Sequence, residues 1–253
     1  MAKLTRTVRR MRRFMLPWGM RPQHGHQEDH RWAGSVLREV VFGANDGLVS
    51  NVSLVAGGAG ATSDSKTVLL AGVAGVVAGA ISMSLGAYVS TKSEREFREA
   101  EERRERWEVE HMPREEKAEV REIYVAKGIT GPTLDAIVEQ ITRDKEQWVQ
   151  TMMQDELGFS DEPPRPLLAA VMMGIAFTIA ALFPVAPFVF MEGAAALTTA
   201  VGLTGVALLG VGAWRAYITA GNVWRKAFEM VGLAAVAVAA ANLIGRLVGV
   251  GIY

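Results

Sequence analysis

Five long stretches of this chain are nearly free of charge, and they constrain its fold more than any other feature. Thr67 to Thr91, Pro166 to Met191 and Gly193 to Trp214 hold no charged residue, and Glu192 separates the last two. Ala227 to Tyr253 is broken only by Glu229 and Arg246, and Val40 to Thr62 only by Asp46. A segment of about 20 mostly apolar residues spans a hydrocarbon core of about 30 Å. The sequence therefore predicts five transmembrane helices. The 27 Lys and Arg balance the 27 Asp and Glu, but they are segregated along the chain. Residues 1–40 carry nine basic against three acidic side chains, and residues 92–165 carry thirteen against twenty. The absence of cysteine excludes a disulfide framework, a Cys zinc site and thiolate nucleophile chemistry. The expected class is all-α: a five-span transmembrane helical bundle with a small cytosolic helical domain inserted between spans 2 and 3. The divisions read as a basic cytoplasmic arm (1–35), spans 1 and 2 (36–91), an acidic insert (92–164) and spans 3 to 5 (165–253).

Loop charge sets the expected orientation through the positive-inside rule. Lys3, Arg6, Arg9, Arg10, Arg12, Arg13, Arg21, Arg31 and Arg38 place the arm in the cytoplasm. Arg215, Arg225 and Lys226 place the link between spans 4 and 5 on the same side. The insert then lies inside and the C-terminus outside. An Arg-rich start with no following apolar core and no A-x-A site is unlike a signal peptide. It reads as an arm near anionic lipid, with a mitochondrial transit peptide as the alternative. His24, His26 and His30 form a loose group on this arm. Gly72-x-x-Gly75-x-x-x-Gly79 and Gly202-x-x-Gly205 allow close helix contact, within one bundle or across a dimer seam.

The first span is polar for its place. Gly43-Ala44-Asn45-Asp46-Gly47-Leu48-Val49-Ser50-Asn51 puts a carboxylate and several oxygen donors at membrane depth. Such a carboxylate is costly and is expected to face the bundle interior, neutralised by a proton, a cation or a basic partner. Gly43 and Gly47 leave the backbone open to another helix or to a dehydrating ion. Met83 in span 2 offers a soft thioether at comparable depth, which favours transition metals over Mg²⁺ or Ca²⁺. Core packing accounts equally for a lone methionine, and a helix-packing hydrogen bond or an N-cap accounts for Asp46.

Span 2 has no stop signal at Thr91, so its helix is expected to continue to about His111 as a stalk, about 28 Å beyond the membrane. Further helices are expected from Pro113 to Gly128, from Pro132, and from Asp144 to Gly158, where Asp144 and Gln147 have capping-box spacing. Three side-chain pairs carry the insert's chemistry. Glu105 and Glu108 are i,i+3, Glu116 and Glu119 are i,i+3, and Met152 and Glu156 are i,i+4. Each pair shares a helix face. Three such helices can converge on a cation cluster, as in carboxylate bundles that hold di-iron or di-manganese sites. By spacing alone, a solvated Glu-rich face accounts for the same pairs.

Arg38-Glu39-Val40-Val41-Phe42-Gly43-Ala44-Asn45-Asp46-Gly47-Leu48-Val49-Ser50-Asn51 resembles the opening of the vacuolar iron transporter family. The resemblance continues through Tyr88-Val89-Ser90, Met152-Met153-Gln154-Asp155-Glu156-Leu157-Gly158 and Pro184-Val185-Ala186-Pro187, covering about residues 36 to 250. It implies a homodimer that exports Fe²⁺, and often Mn²⁺, from the cytosol in exchange for protons. It implies that Asp46 and Met83 line the path, beside which the residues of span 1 themselves offer Asn45, Ser50 and Asn51 as further oxygen ligands. It also implies that Glu105, Glu108, Glu116, Glu119, Met152 and Glu156 bind metal in the cytosolic domain. The implied partners are the lipid bilayer, divalent metal ions, protons and a second copy of the chain, with no nucleic acid. No permanently bound cofactor is expected: Fe²⁺, Mn²⁺ or another divalent transition metal is cargo and domain ligand. The short chain and its high Ala, Gly and Arg content point to a bacterial plasma membrane, with a vacuolar membrane in a eukaryote as the alternative. The alternatives are a membrane-anchored di-metal ferroxidase and a metal sensor. The long arm, Arg215 in place of a Lys, and Asn242 in the last span depart from the family pattern.

Overall fold

The computed structural model describes residues 30–218 and 221–252. The arm before His30, with His24 and His26, lies outside the described residues. The chain is all-helical, with no strand among the described residues. Its elements are α1 (His30–Ala61), α2 (Ser65–His111), α3 (Pro113–Ala126), α4 (Pro132–Thr142), α5 (Lys145–Asp155), α6 (Pro166–Val185), the short α7 (Pro187–Phe190), α8 (Gly193–Ile218) and α9 (Val223–Ile252). Five segments are long and apolar enough to cross a membrane: Val36–Ala61, Ser65–His111, Pro166–Phe190 (α6 with α7), Gly193–Tyr217 and Val223–Gly249. The first helix begins inside the stretch read from sequence as an arm.

Contacts divide the chain into two compact units. One runs to Leu85 and resumes at Ala170, and the other is Gly86–Ala169. In the first unit, glycines set the helix packing. A Cβ on Gly43 would stand 2.7 Å from the Met173 carbonyl oxygen, and one on Gly47 2.5 Å from that of Phe177. Residue numbers rise together in these contacts, so α1 and α6 run parallel. Of the two approaches allowed by these glycines, the structure shows the helix. A Cβ on Gly79 would collide with the Phe177 ring, and one on Gly72 would press on Val185, so α2 runs antiparallel to α6. The Gly72, Gly75 and Gly79 series is therefore packing within one bundle. Gly202 and Gly205 differ: nothing lies within 4 Å of either Cβ position. Their expected close contact is not made among the described residues.

The last helix lies parallel to the first, backbone against backbone. Gly245 packs on the Gly57 carbonyl, and Gly249 on Ala61. Asn242, the polar exception in this span, donates its Nδ2 hydrogen to the Ala56 carbonyl at 2.7 Å. Val55, Val68, Val76, Phe177, Ala181 and Val185 form one core of the unit, and Leu48, Ala180, Leu208, Met230 and Ala234 another. Introducing Val at Gly47 forces α1 away from α6. Its expected cost is about 1–3 kcal/mol, read as a lowered melting temperature of the detergent-solubilised chain.

In the second unit, α2 continues without a break to His111, as its lack of breakers predicts. Pro113 and Pro132 open α3 and α4 at their first positions. The Asp144 side chain accepts from the Gln147 amide at 2.9 Å and starts α5. Gly128 and Gly158 have φ of 85° and 71°, a left-handed conformation that stops the helices before them. Val109, Val120, Val138, Trp148, Val149 and Met152 close the core of this unit.

Candidate metal centre

The core of the second unit positions the carboxylates. Glu105 precedes buried Val109 by one turn of α2, and Glu116 precedes fully buried Val120 by one turn of α3. Both glutamates are therefore drawn inward and are only 4 % exposed. Met152 of α5 is completely buried beside Val149 and Met153, and Glu156 caps the same helix. One oxygen of Glu105 and one of Glu116, Oε2 in each, are buried without any hydrogen-bond partner. A buried orphan oxygen is costly, and in a native structure it calls for an explanation.

The acids around this cluster are differently placed. Lys117 pairs with Glu139 at 2.6 Å, Arg121 with Asp135 at 2.6 Å, and Arg106 with Glu146 at 2.8 Å. These pairs tie the helices together on their outer faces. In the cluster, Arg104 reaches Glu108 at 3.1 Å, and Glu105, Glu116, Glu119 and Glu156 form no ion pair among the described residues. Burial pushes the Glu105 carboxyl up to about 7, with further upward pressure from Glu156, Glu108 and Glu119. Burial likewise pushes Glu116 up to about 7, reinforced by Glu119, Glu105, Glu108 and Glu156. Glu156 is raised by burial and then by Glu119 and Glu108. Glu108 and Glu119 thus act on all three of Glu105, Glu116 and Glu156. Among the described residues, no three His, Asp or Glu side chains are closed up into a metal-holding group.

This arrangement fixes a pH response. Glu105 and Glu116 bind protons more tightly folded than unfolded, with folded values near 7 against an ordinary 4.5. Their contribution to stability is fully present below about pH 4.5 and is lost as pH rises through about 7. With chelator present, the melting temperature of the full chain is expected to fall between about pH 5 and about pH 8, and added Mn²⁺ is expected to restore it. Glu116→Gln should flatten the fall. An unchanged slope in that variant would contradict this assignment.

His111 stays out of the cluster. A Glu-x-x-His spacing, Glu108 to His111, is present and escaped the sequence reading. However, the His111 Nδ1 lies 2.8 Å from the Trp107 carbonyl, and its ring stacks on Trp107 with centroids 4.6 Å apart. The exposed imidazole is thus held on its own helix.

In the membrane-spanning unit, the four residues expected on the path separate. Asp46 is half-buried and continues a row with exposed Phe42, Ser50 and Leu54, spaced four apart along α1. Ser50 Oγ donates to the Asp46 carbonyl at 2.6 Å. In a single chain, Asp46 therefore stands on the open side of α1 and not deep in the bundle. Asn45 beside it is also half-buried. Asn51 lies about 140° around the helix from Asp46. It is 2 % exposed, its Oδ1 has no partner, and that oxygen is 3.0 Å from where a Cβ on Gly75 would be. Met83 packs partly buried against the core around Phe177. A further acid, Glu39, is 6 % exposed and accepts from Arg38 at 3.0 Å. Its seven-residue spacing from Asp46 brings the two within about 20° on one helix face. That spacing was a signal available in the sequence.

The sequence model of the VIT family matches residues 37–246, which take in the polar first span, the three carboxylate helices and most of α9. The chain belongs to the VIT family. It is 37 % identical to vacuolar iron transporter 1 of Oryza sativa subsp. japonica over 227 residues, 89 % of this chain and 90 % of the relative. It is 36 % identical to vacuolar iron transporter 1 of Arabidopsis thaliana over 225 residues, 88 % of this chain and 90 % of the relative. The Eucalyptus grandis vacuolar iron transporter 1 is 37 % identical over 218 residues, 85 % of this chain and 88 % of the relative. These VIT relatives match the chain across both of its compact units.

Proposed function

We propose that this protein is an iron transporter, not an enzyme, that moves Fe²⁺, and Mn²⁺ where it is the available metal, out of the cytosol in exchange for protons. The observation that carries this reading is the five-glutamate cluster in a VIT family chain, with two buried oxygens left unsatisfied. Divalent cations neutralise such a cluster, and Met152 contributes a soft sulfur that favours transition metals. The insert is the cytosolic collecting domain, and Glu105, Glu108, Glu116, Glu119, Met152 and Glu156 take the metal.

Transport then runs along α1. Asp46 accepts the dehydrated ion, Asn45 and Asn51 supply neutral oxygens, and Met83 biases the path toward softer metals. Metal ligands must be deprotonated, so a proton and an ion compete for Asp46. A proton arriving from the far side displaces the ion, and its release to the cytosol frees Asp46 for the next one. The open row of Phe42, Asp46, Ser50 and Leu54 supports a homodimer, because a second copy would enclose a carboxylate that a single chain leaves facing outward. The N-terminus faces the cytosol, in a bacterial plasma membrane or a vacuolar one.

The test is Fe²⁺ uptake into proteoliposomes of the full chain. Uptake above protein-free vesicles, saturating with metal and shared by Mn²⁺, is the expected result. Metal binding without uptake would contradict transport.

A further inference from the structure

The far end of α9 holds a cation that the transport mechanism does not use. Arg246 lies three residues inside the end of the apolar segment Val223–Gly249. It is exposed and forms no ion pair among the described residues. The other end of this helix carries Arg225 and Lys226. A positive-inside bias explains cations at one end of a span, not at both. A guanidinium at this depth is costly until it reaches an anion at the interface. The acid at the neighbouring end of α1 does not serve it: Asp64 is engaged with the amides of Lys66 and Thr67 and with the Thr67 hydroxyl.

Asn242 lies one turn before Arg246 on the same face of α9, about 6 Å along the axis. One amide hydrogen is spent on the Ala56 carbonyl. The second remains available, since a carboxamide has two. Asn242 lines a groove of about 470 Å³ with Ala56 of α1, Leu197, Val201 and Gly202 of α8, and Val238 of α9. Gly202 leaves one wall recessed, with nothing within 4 Å of its Cβ position. Thr198 turns its hydroxyl back onto the Ala194 and Ala195 carbonyls and adds no polarity. The groove is an apolar slot, with an amide donor at one end and an unpaired cation one turn beyond it.

We propose that this groove binds one anionic phospholipid. Its acyl chain fills the slot, a glycerol ester carbonyl accepts from Asn242, and its phosphate pairs with Arg246. Charge decides the occupant: a zwitterionic headgroup supplies its own ammonium to the phosphate, whereas an anionic one leaves a net charge for the guanidinium. A second copy of the chain is the poorer fit. Ala56 lies about 200° around α1 from Leu54, so the groove and the open Asp46 row are on opposite sides of that helix. The lipid would brace α8 against the α1–α9 pair, whose backbones already touch at Gly57 and Gly245.

The test is native mass spectrometry of the full chain in mild detergent, titrated with phosphatidylglycerol and phosphatidylcholine of matched chains. The wild type is expected to retain one phosphatidylglycerol per chain, with about fivefold preference over phosphatidylcholine. Arg246→Gln should bring the two lipids to parity, and Gly202→Phe should lower retention of both. Arg225→Gln, at the other end of the helix, should retain the wild-type preference. Melting temperatures in phosphatidylcholine micelles identify any variant that has lost its fold, and Arg246→Lys, which keeps the charge, should rescue the preference. Equal retention by wild type and Arg246→Gln would overturn the proposal. So would a change in chains per particle, instead of lipids per chain, in Gly202→Phe. Glycerophosphoglycerol binding as tightly as the lipid would overturn the role of the groove.

Discussion

Asp46→Asn is expected to cut Fe²⁺ flux by about 100-fold or more while leaving metal binding by the glutamate cluster unchanged. The substitution keeps the size of the side chain and one oxygen, but removes the charge for which ion and proton compete. Ser50 bonds the Asp46 backbone carbonyl and not its side chain, so the local helix contact survives the change. The two readouts separate the roles. Flux is measured in proteoliposomes, and binding by Mn²⁺ titration of the detergent-solubilised full chain. Loss of both would indicate a folding defect, which the melting temperature identifies. Normal flux in Asp46→Asn would remove Asp46 from the mechanism.

The second large effect is on binding. With Glu105 and Glu116 both pushed up to about 7, metal must displace two protons at acidic pH. Affinity is therefore expected to fall below about pH 7, approaching about 100-fold for each further pH unit. The pair Glu105→Gln and Glu116→Gln should bind weakly at every pH and lose this steep dependence. The mirrored test is proton release: the wild type gives up close to two protons per cluster on binding at about pH 6, and the double variant fewer. Binding that is flat between about pH 6 and about pH 8 in the wild type would show that these carboxyls do not titrate as the burial of Glu105 and Glu116 requires.

Much of this architecture is legible in the sequence because the relevant signals are local. The unbroken run from Ser65 to His111 carries no Pro and no terminal Gly–polar stop, so one long helix follows from its composition. Asp144 with Gln147 announces the start of α5, and Gly128 and Gly158 stand just beyond helix ends. The side that Asp46 faces is not legible, because the polar residues of this span, Asn45, Asp46, Ser50 and Asn51, are spread around the helix and mark no single face. Lipid and protein interior are both apolar, so periodicity does not separate the faces. The contacts of Gly43 and Gly47 with α6, and of Gly57 and Ala61 with α9, fix the helix rotation and turn the row of Phe42, Asp46, Ser50 and Leu54 outward.

The cluster was partly visible for a related reason. The spacing of Glu105 with Glu108 and of Glu116 with Glu119 places each pair on one face, but exposed Glu-rich helices show the same spacing. Burial distinguishes them, and burial depends on Val109, Val120 and Met152 meeting across three helices. Asn242 was conspicuous in sequence as a polar residue without a task. The Ala56 carbonyl supplies one part of that task, and the groove beside it suggests the other.

The most direct measurement of metal–proton exchange is simultaneous recording of Fe²⁺ entry and internal pH in sealed proteoliposomes, with wild type and Asp46→Ala side by side. Exchange predicts that metal entry alkalinises the lumen, because protons leave as metal enters, that an imposed proton gradient drives uphill metal movement, and that both signals vanish together in the variant. Metal entry with no proton movement, or both signals persisting in Asp46→Ala, would contradict it.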